Sequence, residues 1–104
     1  MARYFHATRI SNVNSIKKEG LKPIWDYVYL TDSIESAFNW MGFRLKAMGE
    51  SNIAIVEVEA DPKNLEKGFD HSPLMQTIFG AGESFISEVT IPKSRIKKIH
   101  YFKL

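Results

Sequence analysis

Tyr27 to Thr31 is a run of β-branched and aromatic residues that stops at Asp32, and Glu35 follows three residues later at the spacing of a helix-capping box. A strand that gives way to a helix within one residue leaves the chain little local choice. Beyond the junction, Ile34, Ala37, Phe38, Met41, Leu45 and Met48 recur at helical spacing as far as Gly49, which predicts the main core-packing helix. Gly42 inside it costs ~1 kcal/mol relative to alanine and marks a close contact.

The flanking segments read outward from this junction. Arg3 to Ala7 alternates as a strand does, with Tyr4 and His6 on one face and Phe5 and Ala7 on the other. Ser11 is the expected cap of a short helix through Glu19, with a thin apolar stripe of Val13 and Ile16 and a stop at Gly20. Lys22 to Asp26 is a loop around Pro23. Asn52 to Ala60 is a central or near-central strand, with Ala54, Val56, Val58 and Ala60 on one face and Glu57 and Glu59 on a wet one.

After the turn at Asp61–Asn64 no period holds until Gly82, the mark of a functional loop or of short elements that the pattern does not place. Glu83 to Ile91 and Ile96 to Leu104 are the last two strands, separated by a turn at Pro92–Arg95. Helices early and strands late make the chain α+β with a mixed sheet and two main helices.

Composition narrows what such a domain does. At 104 residues, 44% hydrophobic, the chain suffices for one core and is too short for two, so residues 1–104 are expected to be a single domain. Net charge is +2, which gives no nucleic-acid footprint at the level of the whole chain. The absence of cysteine excludes disulfides, thiolate catalysis and cysteine-ligated zinc. No apolar run is long enough to span a membrane and the first residues do not resemble a signal peptide, so a cytoplasmic protein is expected.

Three ordered segments resemble the signature strands of the ADP-ribosyltransferase superfamily, which includes poly(ADP-ribose) polymerases, DNA-modifying toxins and RNA 2′-phosphotransferases. They are Phe5-His6-Ala7-Thr8-Arg9 with Glu19-Gly20-Leu21, then Val28-Tyr29-Leu30-Thr31-Asp32 running into Ser36-Ala37, and Gly82-Glu83-Ser84-Phe85-Ile86-Ser87 closed by Ile91-Pro92. The resemblance covers most of the chain and implies a split, mixed β-sheet with NAD, as substrate, in the cleft between its halves. It implies that His6 bonds the adenosine ribose, that the backbone of Ala7 holds the nicotinamide amide, and that Tyr29 stacks on nicotinamide. Thr8 and Arg9 are expected as further ligand contacts, Arg9 as a phosphate partner.

Glu83 is the implied catalytic residue. Its carboxylate would hold the nicotinamide-ribose 2′-hydroxyl and stabilise the oxocarbenium-like charge as nicotinamide leaves. Ala7 stands where the family usually has glycine, and Asn39 stands where polymerase-type members carry a second stacking aromatic.

Two functions follow from the resemblance. One is an NAD-dependent ADP-ribosyltransferase acting on a protein or nucleic-acid acceptor, with residues 64–82 selecting the acceptor. The other is a non-catalytic binding module that sequesters a nucleotide or inhibits a partner protein. RNA 2′-phosphotransfer fits less well, because that chemistry uses several arginines and Arg9 alone lies near the motifs. Glu88 is the rival carboxylate if the register of its strand shifts. Asp70, His71 and His100 match no metal-ligand spacing, so no metal is expected. Lys93, Arg95, Lys97 and Lys98 form a basic cluster that reads as a solvated face.

Overall fold

The computed structural model describes residues 1–23, 27–67 and 84–104. Strand β1, Ala2–Thr8, is followed by a 3-10 turn at Ile10–Asn12 that runs directly into helix α1, Val13–Glu19. No side chain caps this start, so Ser11 does not have the capping role expected of it. Strand β2 is Val28–Thr31, helix α2 is Ile34–Ala47 and strand β3 is Asn52–Ala60. The short β4, Glu66–Lys67, then β5, Ser84–Ser87, and β6, Ile96–Lys103, complete the sheet. The sequence pattern gave no sign of β4, because two residues are too few to show a period.

The strands form one sheet in the order β4-β5-β2-β1-β3-β6. Every described pairing is antiparallel, which corrects the expectation of a mixed sheet. The reason lies in the crossover. Strands β2 and β3 run the same way, but α2 carries the chain across β1 before β3 begins, so β1 always separates them. The sheet is also uneven. Strands β1 and β3 are paired along the whole of β1, from Ala2↔Ala60 to Thr8↔Ala54, whereas β1 and β2 meet at one residue pair, Phe5↔Thr31. That seam divides β4-β5-β2 from β1-β3-β6.

Side chains alternate across the sheet and register partners share a face, so two cores result. On one face Tyr4, Val28, Leu30, Val56 and Val58 pack with Ile16 of α1 and with Leu21 and Ile91. On the other, Ala7, Ile53 and Ile55 pack with Ala37 and Leu45 of α2. Ile53 to Val56 are fully buried, so β3 is covered on both faces over that stretch and is open to water at its first residue, Asn52, and in part at Glu57, Glu59 and Ala60. Each such aliphatic side chain contributes ~1.5–3 kcal/mol by leaving water.

Local chemistry sets the helix ends. Ser33, not Asp32, caps α2, its Oγ accepting from the Ser36 amide at 3.3 Å. Met48, expected in the helix stripe, is instead 58% exposed beyond the last turn. Gly20 ends α1 at φ +80° and ψ −171°, a region open essentially to glycine alone. A Cβ there would strike the Ile91 carbonyl oxygen and lie 2.9 Å from the Lys93 amide nitrogen. Gly42 is also a close approach: a Cβ would sit 3.2 Å from Cδ2 of Leu104.

Candidate functional site

Five of the residues singled out in the sequence surround the seam or the end of β1 next to it. His6 is half-buried on β1 and shares its face with Tyr4 and Thr8. Its Nδ1 lies 2.8 Å from the Tyr29 carbonyl oxygen. A carbonyl only accepts, so Nδ1 carries the proton and the neutral ring keeps a lone pair on Nε2. Among the described residues no partner engages Nε2. The imidazole side chain therefore bridges β1 and β2 just beyond the one residue pair that joins their backbones. Burial pushes the His6 pKa down and the hydrogen bond to Tyr29 partly offsets it, leaving the net shift downward. A histidine lowered in this way is neutral at pH 7 and offers Nε2 as an acceptor.

The neighbours of His6 are disposed differently from one another. Ala7 is buried on the α2 face and opposite Ile55 in register. Thr8 is buried too, and its Oγ1 accepts from Asn12 Nδ2 at 2.9 Å. The Arg9 guanidinium turns to the end of α2, with Nη2 3.5 Å from Met48 Sδ and Nε 3.8 Å from Glu50 Oε1.

Tyr29 contributes its backbone to His6, and its ring goes elsewhere. Thr31 pairs with Phe5, so Thr31 and Tyr29 take the face of Phe5, opposite to His6. The Tyr29 ring is 50% exposed and meets the Tyr27 ring edge-on, with centroids 6.2 Å apart. Glu83, Asp70 and His71 lie outside the described residues. In the chain Glu83 immediately precedes Ser84, which pairs with Thr31 on β2. The rival Glu88 is exposed and, with Asn64, Glu66, Ile86 and Val89, lines a shallow cavity of about 220 Å³ at the β4-β5 end of the sheet. Ile86 pairs with Tyr29, so this hollow is on the opposite face from His6.

A polar network absent from the sequence reading occupies the α2 face of β1, β3 and β6. Arg3 Nη1 donates to Glu57 Oε2 at 2.7 Å, Arg3 Nη2 is 3.2 Å from Glu59 Oε1, and His100 Nε2 is 2.9 Å from Glu57 Oε1. The hydrogen bond from His100 lowers the Glu57 pKa most, burial opposes it, and the Arg3 charge lowers it further. His100 is thus engaged by a carboxylate, and among the described residues no group of histidine and carboxylate side chains could hold a metal ion. No described helix is long and apolar enough to cross a membrane. Comparison with known proteins finds no family model that matches the chain and no matching curated protein.

Proposed function

We propose that this chain is an ADP-ribosyltransferase-like domain that binds NAD at the β1-β2 seam and transfers ADP-ribose to a protein or nucleic-acid acceptor. The observation that carries the reading is His6: its Nδ1–H is committed to the Tyr29 carbonyl, and its Nε2 is left as a neutral acceptor. A neutral acceptor suits a ribose hydroxyl, which donates, better than a phosphate, which only accepts. The narrow junction between β4-β5-β2 and β1-β3-β6 is consistent with the split sheet that the sequence resemblance implies.

In this reading Glu83 holds the 2′-hydroxyl of the nicotinamide ribose and stabilises positive charge as the bond from C1′ to nicotinamide breaks. Nicotinamide departs with the bonding pair, and an acceptor nucleophile forms the new bond at C1′. The enzyme should release nicotinamide from NAD, and Glu83→Gln should abolish release while leaving NAD binding in place. Wild-type protein that releases none with protein and nucleic-acid acceptors overturns the transferase reading.

A second reading, a non-catalytic module that binds the nucleotide, rests on two specific observations. The Arg9 guanidinium faces Glu50 and Met48, and the Tyr29 ring projects from the face opposite His6. Calorimetric binding of NAD or ADP-ribose without nicotinamide release distinguishes this module from the transferase.

A further inference from the structure

The surface farthest from β4 is the outer edge of β6, an eight-residue strand that among the described residues has β3 on one side and no strand on the other. Half of its backbone amides and carbonyls point outward, as on any edge strand. The stretch leading into this edge and along it is one-sided in charge. From Val89 to Leu104 there is no Asp or Glu, while Lys93, Arg95, Lys97, Lys98 and Lys103 are all basic. Lys97 reaches Glu59 at 3.6 Å. Lys93, Lys98 and Lys103 have no carboxylate at ion-pair distance among the described residues.

We infer that this edge receives an extended acidic peptide segment as an added antiparallel or parallel strand. Backbone pairing would supply the attachment and the lysines the choice of charge. The aromatic residues favour a peptide over a single-stranded nucleic acid. Tyr101 and Phe102 are 54% and 39% exposed, and as successive strand residues they project from opposite faces. Stacked bases need open rings along one face, and on the face of Phe102 the neighbouring His100 ring is bonded to Glu57 and already stacked on Phe102. An added strand places its own side chains alternately on both faces and meets each ring.

A second copy of β6 is a poor occupant. A two-fold antiparallel pairing centred on His100 sets Lys97 against Lys103, and one centred on Ile99 sets Lys98 against His100, so basic groups face each other across the new ladder. Since β3 and β1 stand between this edge and the seam, the inference is independent of the NAD reading.

Fluorescence anisotropy with a labelled eight-residue peptide alternating glutamate and threonine tests it. The intact protein should bind this peptide and bind neither its lysine-for-glutamate counterpart nor the same acidic peptide N-methylated at successive residues. The exposed pair K98E and K103E should weaken binding about tenfold without altering the melting temperature. Equal binding of the parent and N-methylated peptides overturns strand addition, as does absence of binding to the acidic peptide. Tighter binding of a twenty-nucleotide oligo-thymidine assigns the edge to nucleic acid, and a dimer in sedimentation that takes up none of the acidic peptide assigns it to a second copy; either result overturns the proposal.

Discussion

At His6, burial and a hydrogen bond act in opposite directions on one imidazole, and burial prevails. The unfolded chain protonates this residue first as pH falls through about 6.5. The contribution of His6 to stability is therefore intact above that value and is lost as pH falls toward the depressed folded-state pKa. Nitrogen-resolved NMR of the histidine side chains should find His6 neutral at pH 6.5, protonated on Nδ1, with its midpoint below the ordinary histidine value. A midpoint at or above that value contradicts the acceptor role of Nε2. Glu57 is also depressed, by His100 first and Arg3 second, so its contribution is present above the ordinary carboxylate range and lost as pH falls through the lowered pKa. Glu57→Gln should flatten the acid limb of a stability-versus-pH curve measured by urea unfolding; an unchanged limb means the pair does not act on folding. His6 and Tyr29 were each visible in the sequence as strand residues, but the bond between them was not. It joins a side chain to a backbone carbonyl 23 positions away, and only the pairing of Phe5 with Thr31 brings the two within reach.

The elements follow local chemistry closely wherever a single signal dominates. Gly20 is the clearest case, because its dihedral angles and the nearby Ile91 carbonyl both exclude a side chain. Gly20→Ala should cost ~2–3 kcal/mol or more in chemical denaturation, the sum of backbone strain and displacement of the 91–93 segment. A loss under ~0.5 kcal/mol would mean that this segment yields freely. The same logic made β3 and the length of α2 legible. It failed by one residue at the start of α2, where Asp32 and Ser33 are adjacent and both are good caps. Thr31 Oγ1 donates to the Ser33 carbonyl at 2.7 Å, and Ser33 takes the capping role. The stripe through Met48 was overextended for a different reason: periodicity continued one position beyond the packing against β3, and Met48 is solvent-exposed where the helix ends.

For the molecule as a whole, α+β composition was readable from the order of the elements, whereas the strand order was not. Nothing in the local pattern of β6 says that it lies beside β3, and nothing in β5 says that it pairs with β2. Both pairings show only in three dimensions, where β3 is buried between α1 on one face and α2 on the other, and Val28, Leu30 and Phe85 of β2 and β5 join the core that holds Ile16 of α1. The resulting sheet is broad on each side of a junction one residue pair wide, and the His6 imidazole spans that junction with no partner on Nε2 among the described residues. Calorimetric titration of NAD into wild-type protein and His6→Ala, side by side at pH 7.5, tests that arrangement most directly. Wild-type protein should bind NAD, and the variant should bind about fivefold to tenfold more weakly, the loss of one hydrogen bond, with NAD affinity of a surface control, Lys46→Ala, unchanged. Absence of NAD binding by the wild type, or equal affinity of wild type and His6→Ala, would contradict a nucleotide site at the seam.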